Sequence, residues 1–174
     1  MLNEVFEVRE AKQEEFAKIG QLMVRVYSDL DGFPSETEQP DYYKMLRNVD
    51  IFTNNPSTKL LVAVSEEGTI YGAVVYFGDM QYYGSGGTAT QEKNAGGFRL
   101  LAVSPEAQGN GIGKLLTLEC IKQAKDSNLN QVIIHTTKSM EVAWKMYENI
   151  GFKRSTDLDF MQAELPVFGF RLFF

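Results

Sequence analysis

The sequence predicts a mixed α/β fold, with a central sheet of about seven strands and about four flanking helices. Apolar residues recur at helical spacing in four segments and form short strand-like runs in seven others. The resulting order, β-α-α-β-β-β-α-β-α-β-β, alternates strands and helices in the second half of the chain. With 174 residues, 44% of them apolar, we expect a single domain over residues 1–174.

The first half of the chain predicts three strands and two helices. A strand covers residues 5–8, and a helix covers residues 12–30, because its apolar residues lie on one face. A second helix begins at Asp41 and is stopped by an Asn-Asn-Pro sequence. Two strands follow at residues 60–64 and 70–77, and the Glu-Glu-Gly between them is typical of a hairpin turn.

Two turn-rich segments interrupt these elements. Residues 29–40 carry four carboxylates and no basic residue, which suits a solvated loop or a rim that attracts an ammonium group. Residues 79–97 are rich in Gly, Tyr, Thr and Gln, and we interpret them as too polar for the core. A loop of this length is usually functional or mobile. Its tyrosines, Tyr82 and Tyr83, either line an acceptor pocket or pack the loop onto the body.

The second half predicts two helices and the remaining strands. A helix over residues 111–126 has one apolar face, on which Cys120 is a small buried residue. The strand at residues 131–136 contains His135, which we interpret as a packed strand residue rather than a catalyst.

The last predicted helix has a Ser139 N-cap and a Gly151 C-cap. Strands begin at Phe152 and at Val167. The final segment, residues 168–174, is apolar on both faces and must be covered. An inner strand position or pairing across a homodimer would cover it, and we hypothesise a homodimer.

The most informative segment joins the central strand to the third helix. The apolar run at residues 98–103 predicts a buried strand, which Ser104-Pro105 ends because proline has no N–H to donate. The first turn of a helix has spare N–H groups and the positive end of the dipole, and glycine lets a ligand approach them. An anion-binding turn is therefore predicted, and a connector without a ligand is the alternative. Its residues are Gln108, Gly109, Asn110, Gly111, Ile112, Gly113 and Lys114.

Two familiar phosphate-binding patterns do not fit this turn. A P-loop has four residues between its first glycine and Gly-Lys, and then Ser or Thr. Here three residues separate Gly109 from Gly113, and Leu115 follows Lys114. A dinucleotide fingerprint requires G-x-G-x-x-G, whereas this turn reads G-x-G-x-G.

The turn resembles the pyrophosphate loop, Q/R-G-x-G-x-G/A, of the GNAT family of N-acetyltransferases. A second segment, Ala143-x-x-x-Tyr147-x-x-x-Gly151-Phe152, is similar to the family's other acetyl-CoA motif, and the predicted order of elements is also that of the family. The resemblance implies a GNAT-like acyl-CoA N-acyltransferase fold. It also implies an enzyme that acetylates a primary amine of a small molecule or peptide, with acetyl-CoA as co-substrate, by direct attack on the thioester.

The resemblance further implies roles for residues of the first motif. The backbone of Leu101, Ala102 and Val103 is expected to hold the pantetheine arm, and a strand N–H there to polarise the thioester carbonyl. The amides of residues 108–114 are expected to bind the pyrophosphate. The Lys114 side chain either adds charge near a phosphate or is simply solvated.

The second motif is expected to complete the site. Tyr147 matches the family tyrosine that protonates the leaving thiolate, although it also fits an apolar stripe shared with Ala143. Met140 stands where the family often has an asparagine near the pantetheine, which removes one expected hydrogen bond. The strand at residues 95–99 holds no carboxylate, so no general base is named. Three acidic residues are near in sequence only: Glu92, Asp157 and Asp159.

Composition argues against several classes of protein. A net charge of −6 is unfavourable for binding nucleic acid. The single cysteine and single histidine exclude an intrachain disulfide and make a Cys/His zinc site implausible, so we expect no metal. The first ten residues lack a signal-peptide core and no apolar run is long enough for a membrane span, so we expect a cytoplasmic location. Two rival functions stay open: a CoA-binding sensor or scaffold without turnover, and a nucleotide-binding protein.

Overall fold

The computed structural model describes residues 5–174, so the first four residues of the charged N-terminal segment lie outside the described residues. Within this range the chain forms eight strands and four α-helices. The strands are β1 (Phe6–Glu10), β2 (Thr58–Ser65), β3 (Ile70–Phe77), β4 (Ala95–Val103), β5 (Gln131–Thr136), β6 (Lys153–Arg154), β7 (Phe160–Gln162) and β8 (Leu165–Phe173). The helices are α1 (Phe16–Ser28), α2 (Pro40–Arg47), α3 (Ile112–Asp126) and α4 (Glu141–Ile150).

The strands hydrogen-bond in the order β1-β2-β3-β4-β5-β8-β6, and β7 pairs with β8. β4 and β5 are parallel, whereas β1 is antiparallel to β2 and β8 is antiparallel to β5, β6 and β7. The predicted mixed α/β class is therefore confirmed. Of the strands and α-helices in residues 5–174, the short strand β7 was not predicted from the sequence.

The chain divides into two compact units. The first unit contains the described residues up to Asn54, Lys59–Val75 and Leu100–Glu119. The second unit contains Asn55–Thr58, Tyr76–Arg99 and Cys120–Phe174. No helix within residues 5–174 has both the length and the apolar character needed to cross a membrane.

The core of the first unit is built where α1 meets α2. Ile19 and Met23 of α1 are fully buried, as are Tyr43 and Leu46 of α2. The two helices approach so closely at Gly20 that a Cβ there would lie 2.1 Å from the Arg47 carbonyl oxygen. This distance is far below van der Waals contact, so only glycine permits the observed packing.

The second unit corrects the interpretation of residues 79–97 as too polar for the core. β4 already begins at Ala95, and the preceding segment buries Met80 and Tyr83 almost completely. The Tyr83 ring packs edge-on against Phe77 with 5.5 Å between centroids. Of the two roles considered for the tyrosine pair, Tyr83 packs the loop onto the body.

Three of the predicted helices have wrong boundaries. α1 spans Phe16–Ser28 instead of residues 12–30, and residues 13–15 form a 3-10 turn. α2 ends at Arg47, and residues 49–54 continue as a 3-10 turn in place of the predicted longer helix. α4 begins at Glu141 with Met140 in the N-cap position, while the hydroxyl of Ser139 bonds that of Thr137 at 2.8 Å. The predicted C-cap is confirmed, because Gly151 ends α4 with a φ of 121°.

Both neighbours of β8 are strands of this chain. β5 pairs along one side, and β6 and β7 pair along the other. The apolar segment is therefore covered as an inner strand, which was one of the two alternatives. Phe173 and Phe174 remain exposed at its end.

Candidate active site

The glycine turn after β4 is held by its own hydrogen bonds. The Gln108 amide lies 3.5 Å from the Pro105 carbonyl, and the Asn110 amide lies 3.3 Å from the Ala107 carbonyl. The Asn110 side chain also donates from Nδ2 to the carbonyls of Ala107 at 2.9 Å and Gln108 at 3.2 Å. These bonds fix the turn. They also engage the amides of Gln108 and Asn110 within the turn, although both were among the seven amides expected to meet a ligand.

Gly109 and Gly111 are glycine for reasons of backbone conformation. Their φ angles of 83° and 77° lie in the left-handed region, which other residues adopt at a cost. A Cβ added at either position would meet nothing within 4 Å. The backbone of the turn therefore has room for another molecule to approach it.

The first turn of α3 supplies the donors. The helix begins at Ile112, and its first backbone hydrogen bond runs from the Leu115 amide to the Gly111 carbonyl at 3.0 Å. The amides of Ile112, Gly113 and Lys114 consequently have no acceptor within the helix. They coincide with the positive end of the helix dipole, so the structure brings together a row of donors suited to an anion.

Gly72 of β3, which the sequence did not identify, positions this helix. A Cβ at Gly72 would lie 2.8 Å from Ile112 Cγ2, 3.0 Å from Leu116 Cδ1 and 3.1 Å from the Ala102 carbonyl oxygen. The first turn of α3 therefore packs directly on the backbone of the sheet. A glycine in the middle of an apolar strand is the signal that could have indicated this contact.

The turn before the glycines is tied to α1 by an exposed ion pair. Arg25 contacts Glu106 at 2.5 Å, and the Ser104 hydroxyl also donates to Glu106. These hydrogen bonds, from Arg25 first and then Ser104, lower the pKa of Glu106 to about 2. Glu106 is thus ionised at neutral pH, and the pair connects the end of β4 to α1.

β4 carries a local irregularity immediately before the residues expected to hold pantetheine. Leu100 adopts a φ of 60°, which is unusual for a residue with a Cβ and is characteristic of a bulge or a functional site. In the second unit, β4 pairs with β5 only from Ala95↔Gln131 to Gly97↔Ile133.

The three predicted pantetheine residues follow this irregularity. Leu101 and Val103 are partly exposed, whereas Ala102 is buried. The Tyr27 hydroxyl lies 3.5 Å from the Leu101 carbonyl oxygen, and the Ser104 amide donates to the Tyr71 carbonyl at 2.8 Å. Leu101 and Val103 therefore lie on the same, partly exposed face of the strand.

In the second unit, Tyr147 lies in an aromatic cluster. Its ring makes edge contacts with Phe98 and Phe152, each with centroids 5.8 Å apart. Burial raises the pKa of the Tyr147 phenol, so the hydroxyl keeps its proton at neutral pH. Met140 and Ala143 of the same motif are half-buried. The cluster serves packing, and the protonated phenol is able to act as an acid.

The three acidic residues considered near this motif are all engaged in ion pairs. Arg171 contacts Glu92 at 2.7 Å and Asp157 at 2.6 Å, and Arg154 contacts Asp159 at 2.7 Å. Hydrogen bonding from Arg154 lowers the pKa of Asp159. A carboxylate held in an ion pair with an arginine is a poor proton acceptor, so none of the three is suited to act as a general base.

His135 is a packed residue, as interpreted from the sequence. Its Nε2 lies 2.8 Å from the Leu158 carbonyl oxygen and so carries the proton, which leaves Nδ1 to accept from the Tyr83 hydroxyl at 3.0 Å. Burial lowers the pKa of His135, with the Arg99 charge acting in the same direction. A neutral imidazole with both nitrogens occupied is a structural link.

Comparison with known proteins defines the class. The signature of the Acetyltransferase (GNAT) family matches residues 23–152, which contain both motifs described above. The chain therefore belongs to the GNAT acetyltransferase family.

Among its relatives are proteins named mycothiol acetyltransferase. The protein from Pseudarthrobacter chlorophenolicus is 42% identical over 62 residues, which are 36% of this chain and 19% of that protein. The protein from Nocardiopsis dassonvillei is 32% identical over 92 residues, 53% of this chain and 28% of that protein. The matches therefore span about a fifth to a quarter of these relatives' length.

Solved structures share the fold over nearly the whole chain. A GNAT acetyltransferase from Staphylococcus aureus Mu50 has a TM-score of 0.73 at 16% identity, covering 96% of this chain and 98% of that one. PaiA N-acetyltransferase from Thermoplasma acidophilum, in complex with coenzyme A, has a TM-score of 0.71 at 15% identity, covering 95% and 98%. YncA from Salmonella typhimurium, with its cofactor acetyl-CoA, has a TM-score of 0.67 at 14% identity, covering 97% and 94%. These likenesses confirm the predicted GNAT-like fold.

Proposed function

We propose that this protein is an acetyl-CoA-dependent N-acetyltransferase that acetylates a primary amine by direct attack on the thioester. The observation that carries the proposal is the row of amides at the start of α3, which have no acceptor in the helix and follow a turn with open glycines. Membership of the GNAT family supports it. Solved relatives with acetyl-CoA and coenzyme A support acetyl-CoA as the co-substrate.

In this proposal the first unit binds the co-substrate. The amides of Gly111 to Lys114 hold the pyrophosphate, and residues 108–110 shape the turn that presents them. The backbone of residues 101–103 holds the pantetheine arm as an added strand would be held. A strand N–H near Leu100 polarises the thioester carbonyl, where a fixed donor stabilises developing negative charge.

Tyr147 supplies the acid. The amine nitrogen forms a bond to the acetyl carbon, the carbon–sulfur bond breaks, and the sulfur leaves as a thiolate. Tyr147 gives its phenolic proton to that sulfur as the carbon–sulfur bond breaks, which assists departure of the thiolate, and the second proton of the amine nitrogen then restores the phenol. Met140 and Ala143 contribute to the surroundings of the pantetheine arm, as the second motif implies.

The proton lost by the incoming ammonium group passes to solvent through water in this proposal. The ion pairs of Glu92, Asp157 and Asp159 argue against assigning it to any of them. The same observation favours a second candidate function, a non-catalytic acyl-CoA-binding sensor or scaffold. Arg99 adds to it, because a cation stands on the strand where a base would be expected.

The remaining parts of the proposal concern the protein's setting. We propose a single-domain, cytoplasmic protein whose partners are acetyl-CoA and a primary amine, with no role for nucleic acid or a membrane. A homodimer stays a hypothesis, with the exposed Phe173 and Phe174 as contact candidates. Light scattering that gives the mass of one chain at micromolar concentration would contradict the dimer.

Two measurements test the function in sequence. Thermal shift is recorded with acetyl-CoA, ATP and NAD, and stabilisation by acetyl-CoA alone is expected. Release of free thiol from acetyl-CoA is then followed over a panel of amines. Thiol release with at least one amine supports the transferase. Binding of acetyl-CoA without release for any amine supports the sensor, and stabilisation by ATP or NAD alone would contradict both.

A further inference from the structure

Three aromatic rings of the first unit form one continuous surface, here called the aromatic triad: Tyr27, Phe33 and Tyr42. The centroid distances are 5.4 Å for Tyr27–Phe33, 5.5 Å for Phe33–Tyr42 and 6.2 Å for Tyr27–Tyr42. Tyr27 is only 4% exposed, whereas Phe33 and Tyr42 are half-buried. The triad therefore has a buried end at Tyr27 and a partly accessible end at Phe33 and Tyr42.

The buried end of the triad lies beside the strand that the proposed function assigns to the thioester. The Tyr27 hydroxyl is 3.5 Å from the Leu101 carbonyl oxygen. Leu101 follows Leu100, whose φ is 60°, and begins the segment proposed to hold pantetheine. An amine that reached the thioester along this part of the first unit would meet the triad.

The accessible end is held in place by a fully buried neighbour. The Tyr43 hydroxyl lies 2.8 Å from the Pro34 carbonyl oxygen and 3.3 Å from the Tyr27 carbonyl oxygen. Tyr43 thereby fixes the segment that follows Phe33, and the close approach of the helices at Gly20 fixes α2. Phe33 and Tyr42 are consequently preorganised, which reduces the entropy lost when a ligand packs on them.

The chain around the triad also suits a cation. Residues 29–40 carry four carboxylates and no basic residue. Glu36 pairs with Arg47 at 2.6 Å, and Glu38 accepts from Ser35 at 3.0 Å, so both are engaged. The other two, Asp29 and Asp31, are exposed. The rings of Phe33 and Tyr42 attract one ammonium group through their faces and offer apolar surface to the rest of the molecule, while two of the four carboxylates are already engaged, so the segment favours a monoamine with an apolar body.

We propose that Phe33 and Tyr42 determine acceptor specificity, selecting a primary amine carried on an aromatic or branched aliphatic body over a polar or polycationic amine. The inference rests on the proposed function, because that function places the thioester at Leu101. A free arylalkylamine and a peptide whose first residue is aromatic share this chemistry.

The test compares thiol release for four amines: 2-phenylethylamine, a hexapeptide beginning with phenylalanine, putrescine and lysine. Wild type is expected to favour one or both aromatic amines over putrescine and lysine by at least about tenfold in kcat/KM. Phe33→Ala and Tyr42→Ala are expected to lower kcat/KM for the favoured amine by about tenfold, with the acetyl-CoA KM unchanged. Tyr42→Phe keeps the ring and is expected to retain the preference.

Phe6→Ala is the matched control. Phe6 is a half-buried aromatic residue of the same unit that contacts Tyr71 at 5.5 Å and lies outside the triad. The substitution should leave the ratio of kcat/KM for aromatic amines to kcat/KM for polar amines unchanged. This ratio does not depend on how much of the protein is folded.

The outcomes separate the two proposals. A preference for putrescine or lysine in wild type, or an equal fall for all four amines in Phe33→Ala and Tyr42→Ala, would overturn the inference and leave the transferase intact. No thiol release with any amine would overturn the transferase and the inference together. A preference confined to the hexapeptide or to 2-phenylethylamine identifies the source of the amine and supports the inference.

Discussion

Two glycine-rich segments of this protein use the same residue for opposite purposes. In the turn of the first unit, a Cβ at Gly109 or Gly111 would meet nothing within 4 Å. In the second unit, a Cβ at Gly86 would lie 2.7 Å from Phe160 Cδ2, and one at Gly97 would lie 2.7 Å from the Ile133 carbonyl oxygen. Open glycines leave the backbone accessible to a ligand, and crowded glycines allow packing.

The difference explains why one segment could be interpreted from sequence and the other could not. The turn acts through its own main chain, so its purpose is encoded in adjacent residues. The segment before β4 acts through distant partners, such as Tyr83 bonding His135, which is 52 positions away. Its polar composition gave no indication that Met80, Tyr83 and Ala89 would be buried.

The largest expected effect is the loss of stability when a crowded glycine of the second unit is replaced. Gly97→Ala should lower the free energy of unfolding by about 3 kcal/mol, because overpacking against backbone cannot be relieved by a rotamer change. The new Cβ would also lie 2.9 Å from Met80 Sδ and 2.9 Å from Tyr83 Cε1. Denaturant unfolding measures the change, and unaltered stability would show that the packing is looser than described.

The next effect is a loss of kcat on removal of the Tyr147 hydroxyl, which is proposed to act as an acid in addition to packing. Tyr147→Phe keeps the ring contacts with Phe98 and Phe152 but removes the acid. We expect kcat to fall by about a hundredfold while the acetyl-CoA KM stays within about twofold. Steady-state kinetics with the best amine of the panel tests this, and an unchanged kcat would remove Tyr147 from the mechanism.

A matched pair of substitutions tests whether the open glycines of the turn contribute to binding of acetyl-CoA. Gly111 and Gly68 have φ angles of 77° and 87°, and a Cβ at either would meet nothing within 4 Å. Alanine at each should cost a similar amount, about 1–2 kcal/mol, through backbone strain alone. Calorimetric titration should show an affinity for acetyl-CoA about tenfold weaker for Gly111→Ala and unchanged for Gly68→Ala. Equal affinities would contradict a binding role for the turn.

The smallest expected effect is a pH dependence of the free energy of unfolding, caused by the buried His135 of the second unit. The pKa of His135 is lowered by burial, so its unfolded-state pKa of about 6.5 is the higher of the two. Its contribution to stability is therefore complete above about pH 6.5 and is lost as the pH falls towards the folded-state pKa. Protonation would also displace the Tyr83 hydroxyl from Nδ1.

His135→Gln removes this titration. Unfolding free energies measured between pH 7.5 and 5 should fall less steeply for the variant than for the wild type. The charged groups that act on His135, Arg99 and Asp159, are the same in both proteins. Identical slopes would show that the imidazole is not kept neutral by the fold.

Much of the fold was predictable because its signals are local. The helix stripes, β5 and the Gly151 cap are all encoded within a few residues. β7 was missed because its two-residue connection to β8 contains Ala163 at a φ of 53°, without the Asn-Gly sequence that usually marks such a turn. The role of Gly72 was missed because a glycine within a strand indicates a close approach but does not say that α3 makes it.

The most direct test of the account follows the backbone amides of isotope-labelled protein by NMR during titration with coenzyme A and, separately, with pantetheine, which lacks the pyrophosphate. Large chemical-shift changes are expected at Gly111, Ile112, Gly113 and Lys114 with coenzyme A and small ones with pantetheine. Unmoved amides at these four positions under saturating coenzyme A would contradict it.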